Sequence, residues 1–135
     1  MEAFQIGMCR ELVVQTGPEH TAQFFYRNLP RVFATPFLAG LMERVCAELM
    51  DERLQPGEQS VGGFLQLKHT APTPLGMNVT VTARLTAIDG PKLTFALEAR
   101  DEVEKIGEAL HERYIIKAEK FNARVAAKAG QRHEA

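Results

Sequence analysis

The sequence predicts an α+β fold in which an antiparallel β-sheet wraps around one long central helix. The first half contains a stretch with the spacing of a helix that buries a wide apolar stripe. The second half consists of four β-rich runs separated by turn signals. With 135 residues, 45% of them hydrophobic, the chain is large enough for a core of its own. We therefore expect one domain over residues 1–135.

The first predicted element is a strand over residues 8–16, a segment that carries Leu and Val. The turn-forming pair Gly17-Pro18 ends it. The next stretch, HTAQFFYRNLP, is aromatic but has no clean period. We expect it to form an irregular or partly helical cover.

The long helix is predicted to begin at Thr35, since apolar residues recur from there at steps of three and four. Thr35 followed by Pro36 suits a helix start, because a Thr hydroxyl can accept from a free backbone N–H and Pro has none to satisfy. The sequence LQPGE at residues 54–58 ends the helix. One carboxylate, Glu43, interrupts the apolar run.

The second half predicts four further strands and a short helix. The strands are SVGGFLQLKHT, MNVTVTARLTAI, KLTFALEARD and KIGEALHERYIIKAEKF, and the helix is FNARVAAKA. Turn signals separate the strands, namely PTPLG, Asp89-Gly90 and DEVEK. One helix covers only one face of such a sheet, so the other face must be solvated or paired.

Composition excludes several classes of function. The formal net charge is −1 without a long run of one sign, which argues against a nucleic-acid partner. No apolar stretch approaches the roughly 20 residues that span a bilayer, and the N-terminus lacks a signal-peptide pattern. We expect a cytoplasmic protein without a membrane partner, in which Cys9 and Cys46 are reduced thiols without metal-site spacing.

Glu43 has two interpretations that periodicity does not separate. It lies on a helical face with the small residues Gly40 and Ala47, which permit close approach of a ligand or another backbone. Glu43 is therefore either a solvated carboxylate at the edge of the buried stripe or a general base.

His69 and a glycine pair are further candidates. His69 ends a predicted strand, so it is either a surface residue beside a turn or part of a cleft. Gly62-Gly63 interrupts a β-rich run and predicts a bulge, with or without a ligand at its backbone. The other histidines are weaker candidates. His20 lies in a turn and His133 in a polar tail, and His111 lies in the last strand, where the sequence HER could equally belong to a solvated face.

The usual motifs for nucleotide hydrolysis, dinucleotide binding and serine hydrolysis are absent from the sequence. Metal-ligating residues do not cluster either, so we expect neither a metal nor a cofactor. Any chemistry must then come from Thr, Glu, His and backbone amides.

Three segments of the sequence resemble the hotdog-fold acyl-CoA thioesterases of the fluoroacetyl-CoA thioesterase family. They are VFATPFLAGLMERVC, PGEQSVGGFLQLKHTAPTPLGMNVTVTA and IGEALHERYIIKAEKFNARV, in that order. The resemblance implies a hotdog fold and a homodimeric enzyme that hydrolyses a small acyl-CoA to a carboxylate and free CoA. The alternative is a hotdog protein that binds acyl-CoA without turning it over, as a sensor or carrier.

The resemblance also implies the residues of the site. Thr35, Glu43 and His69 take the catalytic positions, and Gly62 offers a backbone amide to the substrate. A non-catalytic binder would need none of the three catalytic side chains. Eight residues of helix separate Thr35 from Glu43, roughly 12 Å at 1.5 Å per residue, so they cannot share a direct hydrogen bond. His69 or the substrate must lie between them, or a second subunit must contribute.

Two further positions are implied as contacts with the substrate. Arg113 matches a pocket-side arginine. Leu29 stands where the resemblance places a phenylalanine that gates the pocket in the fluoroacetyl-specific member. We therefore expect a thioesterase for some other acyl group, with Phe24, Phe25 and Tyr26 as a different cover.

Overall fold

The computed structural model describes residues 3–132 and confirms the predicted order of elements. His133 lies outside the described residues. The elements are β1 (Cys9–Gln15), α1 (Thr35–Asp51), β2 (Glu58–His69), β3 (Asn78–Asp89), β4 (Lys92–Arg100), β5 (Lys105–Lys117) and α2 (Ala118–Gly130). The aromatic cover between β1 and α1 forms two 3₁₀ turns, Pro18–His20 and Ala22–Phe24, in agreement with the expected partly helical segment.

The five strands form one antiparallel sheet in the order β1-β3-β4-β5-β2. β1 and β2 are therefore its two edges. α1 packs across one face and contacts β1, β2, β3 and β5. The sheet thus curves around a single helix, as the sequence predicts.

The core lies between α1 and the inner face of the sheet. Alternate residues of β3 and β4 point inward and are fully or almost fully buried, which is the period expected of strands with one buried face. α1 contributes its predicted stripe, and Glu43 falls beside it. The buried residues of α1 are Leu38, Met42, Val45, Cys46, Leu49 and Met50.

The two cysteines have opposite environments. Cys46 is buried in the core, and burial raises the pKa of its thiol to about 12. Cys9 is exposed on the edge strand β1. Both are free, as expected from the sequence.

The Gly62-Gly63 pair forms the predicted bulge in β2. The register with β5 shifts between Gly62 and Phe64, so Gly63 is the extra residue. A Cβ on Gly63 would lie 2.5 Å from the ring of Tyr114, and only glycine fits there without displacing that ring.

No helix within residues 3–132 has the length and apolar character needed to cross a membrane. The last helix, α2, extends from the end of β5 and buries none of its side chains.

Candidate active site

Thr35 and His69 meet where the start of α1 faces the end of β2. The Thr35 Oγ1 atom lies 2.7 Å from His69 Nδ1. The prediction that the Thr35 hydroxyl caps the helix is wrong, because Ala34 is the N-cap and no side chain caps this end. The imidazole, rather than a backbone N–H, is therefore the partner of the hydroxyl.

A cavity of about 310 Å³ opens beside this pair. Its walls include Thr35, His69 and the predicted contact Leu29, together with Ala22 and Pro30 from the cover segment. The structure thus brings three of the predicted site residues to one cavity. Its size suits a small organic group.

The expected aromatic cover lies elsewhere. Phe24 and Phe25 stack edge to face with centroids 5.5 Å apart, and both pack against Phe37 of α1. These two rings and Tyr26 are exposed and do not line the cavity. Their role as a cover over the substrate stays a prediction.

The surroundings of His69 favour its neutral form. Burial lowers the pKa of its imidazole, opposed in part by the backbone of Ala71. The ring of Phe33 packs edge to face against it at 6.3 Å. In the described part of the chain, the buried His69 Nε2 atom has no hydrogen-bond partner. A buried ring nitrogen without a partner is costly, so this atom is available to a substrate oxygen or a carboxylate.

Glu43 belongs to a second cluster, eight residues along α1. Its Oε1 atom lies 3.5 Å from Arg113 Nη1, and its side chain is 46% exposed against 9% for Arg113. A Cβ on Gly62 would lie 2.6 Å from the same Oε1 atom. Glycine at position 62 therefore leaves the space that this carboxylate occupies.

His111 completes the second cluster. The sequence alone indicated only weakly that it belongs to a site. Only 1% of this histidine is exposed, which excludes the solvated face that the sequence left open. Its Nε2 atom lies 3.2 Å from Arg113 Nη1, and its Nδ1 atom lies 2.7 Å from the Phe64 carbonyl oxygen. The register offered a signal, since Ala109, His111 and Arg113 share the inner face of β5.

The two clusters remain separate within one chain. Across residues 3–132, no hydrogen bond or ion pair joins Glu43 to Thr35 or His69. The structure therefore groups Thr35, His69 and Leu29 around the cavity, and Glu43, Gly62 and Arg113 at the bulge. The same residues 3–132 contain no group of three His, Cys, Asp or Glu side chains placed to hold a metal ion.

Comparison with known proteins gives a consistent result. A model of the family described as fluoroacetyl-CoA-specific thioesterase matches residues 16–119. The fluoroacetyl-CoA thioesterase of Streptantibioticus cattleyicolor is 47% identical over 103 residues, which are 76% of this chain and 74% of that protein.

Solved structures agree with the sequence matches. A crystal structure of a point mutant of the fluoroacetyl-CoA-specific thioesterase FlK, in complex with fluoroacetate and CoA, superimposes with a TM-score of 0.83. It is 39% identical, covering 87% of this chain and 99% of that one. A hot-dog-like protein from Thermanaerovibrio acidaminovorans has a TM-score of 0.90 and 25% identity, with 96% of each chain covered. The fold is thus a hotdog fold, as predicted.

Proposed function

The chain belongs to the fluoroacetyl-CoA-specific thioesterase family, and from this membership we propose that it hydrolyses a small acyl-CoA to a carboxylate and free CoA. The observation that carries the proposal is the 2.7 Å contact between Thr35 and His69 at the wall of the cavity. A hydroxyl hydrogen-bonded to a neutral imidazole is the arrangement that nucleophilic and general-base catalysis require.

The Thr35–His69 pair supplies the base. With Nδ1 unprotonated, the imidazole accepts a hydrogen bond from the Thr35 hydroxyl. It then removes the proton when the hydroxyl oxygen attacks the thioester carbon. The same imidazole serves if a water attacks instead. In either case the C–S bond breaks after a tetrahedral intermediate forms, and the thiol of CoA leaves with the proton held by His69. Attack by water gives the carboxylate directly. Attack by Thr35 gives an acyl-threonine ester, which a water must then hydrolyse, with His69 again as the base, to release the carboxylate and restore Thr35.

Backbone amides stabilise the negative oxygen of that intermediate. The first intrahelical bond of α1 runs from the Phe37 N–H to the Ala34 carbonyl, so the Thr35 N–H precedes the bonded ladder. The amide at Gly62 is the second candidate donor, on the bulge beside Glu43.

We further propose that two copies of the chain form the complete site. Support comes from the free edge of β2, from the half-exposed Glu43 and from the unpartnered His69 Nε2 atom. Antiparallel pairing of two β2 edges, centred between Leu65 and Gln66, would bring Gly62 of one copy opposite His69 of the other. Glu43 would then reach His69 across the dimer, although it does not within one chain.

The expected assembly in solution is a homodimer with isologous β2 pairing. Light scattering on a sizing column should give twice the mass of the chain at micromolar concentration. A monomer that is fully active at that concentration would contradict the shared site.

A thiol-release assay over a panel of short acyl-CoA thioesters tests the proposed activity. We expect turnover with small acyl groups, and lower turnover in Thr35→Val, which keeps the shape of the side chain but removes the hydroxyl. Tight binding of acyl-CoA with no release of CoA would instead identify a sensor or carrier.

The fluoroacetyl group is not expected to be strongly preferred over acetyl. Leu29 lines the cavity where the family resemblance places a gating phenylalanine, and an aliphatic side chain lacks the rigid aromatic face of that gate. Competition between fluoroacetyl-CoA and acetyl-CoA measures the ratio of kcat/KM values, with Leu29→Phe as the matched variant. A ratio of many thousands in the unmodified protein would contradict this expectation.

We also place the enzyme in the cytoplasm as a single domain over residues 1–135. Both cysteines are free thiols, which suits a reducing compartment. The net charge of −1 offers no footprint for nucleic acid, so the expected partners are acyl-CoA and a second copy of the chain.

A further inference from the structure

The protonation state of His111 follows from its two partners. Its Nδ1 atom faces the Phe64 carbonyl oxygen at 2.7 Å, and a carbonyl only accepts, so Nδ1 carries the proton. Its Nε2 atom faces Arg113 Nη1 at 3.2 Å, and a guanidinium only donates, so Nε2 must be an unprotonated acceptor. The partners therefore select one neutral tautomer.

The β2 bulge provides the carbonyl that fixes this tautomer. Because Gly63 is the extra residue, the register with β5 restarts at Phe64, directly beside His111. Burial lowers the pKa of the His111 imidazole, and the Arg113 charge acts in the same direction, while the Phe64 carbonyl and the Glu43 and Glu112 carboxylates oppose this in part. The ring thus stays neutral at pH 7 and keeps its acceptor.

The guanidinium of Arg113 is fixed on every side. Its Nε atom donates to Ser60 Oγ at 3.0 Å, and Nη2 donates to the Ser60 carbonyl at 3.1 Å. Its Nη1 atom faces both His111 and the Glu43 carboxylate. Four of the five N–H groups therefore have partners, and Arg113 as a whole is buried. A guanidinium held in this way is poorly placed to move toward a substrate.

We propose that His111 is a positioning residue that acts through Arg113 to hold the Glu43 carboxylate at the bulge. The proposal rests on the proposed function, in which Glu43 takes part in hydrolysis. Without the His111 imidazole, Arg113 Nη1 loses the acceptor that orients it. The Glu43 carboxylate, 3.5 Å from Nη1, then has no fixed partner. Catalysis is sensitive to such displacements because the reacting groups must be held in a narrow geometry.

Two substitutions separate this role from packing. His111→Gln retains an acceptor that reaches Arg113, whereas His111→Leu fills the space without one. We expect His111→Leu to lower kcat about tenfold or more with KM changed less than threefold, and His111→Gln to recover most of the loss. Equal losses in both variants, or wild-type kcat in His111→Leu, would overturn the proposal.

Glu112→Gln is the matched control. Glu112 lies between His111 and Arg113 in sequence, but on β5 it pairs toward Lys92 at 3.9 Å on the other face of the sheet. Its turnover should equal that of the unmodified protein. A loss as large as that in His111→Leu would show that any change on this strand is harmful and would overturn the specific role.

A double-mutant cycle tests whether His111 acts through Glu43. If it does, adding His111→Leu to Glu43→Gln should cause less than a threefold further loss of kcat, since the pathway is already broken. Multiplicative losses would overturn the inference. If Glu43→Gln alone leaves kcat unchanged, the proposed role of Glu43 in hydrolysis is wrong, and the inference about His111 fails with it.

The tautomer of His111 can be measured directly, without a variant and without an activity assay. Long-range ¹H–¹⁵N NMR spectra of the histidine-labelled dimer should show His111 with Nδ1 protonated and Nε2 unprotonated at pH 7. An imidazolium or the opposite tautomer would overturn the proposal even if His111→Leu failed to fold.

Discussion

Glu43→Gln is expected to lower the turnover number by about 10²-fold or more while leaving the fold intact, because the His69 base loses the carboxylate that acts in concert with it. Gln keeps the size and hydrogen-bonding capacity of the side chain but removes its basicity and its charge. It also removes the negative partner of Arg113 at 3.5 Å. The measurements are kcat from CoA release and Tm from thermal unfolding.

Glu48→Gln is the control for removing a carboxylate from the same helix. Glu48 pairs with Arg44 at 3.0 Å and with Arg10 at 3.3 Å, away from both clusters. These partly exposed pairs are worth up to about 1 kcal/mol, so Tm should shift only slightly while turnover stays unchanged. If Glu43→Gln retained near-wild-type turnover with an unchanged Tm, Glu43 would be a solvated helix-edge residue, and catalysis would rest on Thr35 and His69.

His69→Ala is expected to cost a similar factor, about 10²-fold or more, because the Thr35 hydroxyl loses its base. Thr35→Val then distinguishes the two attacking groups. A loss equal to that of His69→Ala favours attack by Thr35, whereas a clearly smaller loss favours attack by water. The double mutant Glu43→Gln/His69→Ala should lose far less activity than the product of the two single losses, since the effects of residues that act as one unit are not additive. Full multiplication of the two losses would contradict a shared role.

The pH dependence follows from the neutral His69 base. Burial lowers the pKa of its imidazole below the ordinary value of 6.5. Activity should therefore fall as the pH falls through this pKa, because a protonated imidazole cannot act as the base. A profile of kcat/KM against pH measures this limb, and its midpoint lies higher if the Glu43 carboxylate of a second copy reaches His69. A profile without an acid limb would contradict a histidine base.

The sequence predicted the fold well because its signals are local. The helical period from Thr35 and the alternation in β3 and β4 each reflect burial of one face, which the structure bears out. The bulge was also predictable, because a glycine pair inside a strand has few other uses.

The site was less accessible to sequence reasoning. The period of β5 places His111 on one face with Ala109 and Arg113, but the outward residues Leu110 and Tyr114 are also largely apolar, so the sequence did not show which face is buried. Capping propensity favoured a backbone partner for the Thr35 hydroxyl, but the hydroxyl bonds to His69, which lies 34 residues later in the chain. Such long-range partners leave no trace in local periodicity.

The contrast between the two cysteines has a practical consequence for every assay of CoA release. A disulfide reagent that detects the CoA thiol also reacts with the exposed Cys9, giving one rapid equivalent per chain that does not grow with substrate. Cys46 stays silent while α1 is folded, because its thiol is buried and its pKa is raised to about 12. In a reaction without substrate, a second equivalent that appears slowly therefore reports opening of the helix that carries Glu43, so this blank also measures the integrity of the enzyme.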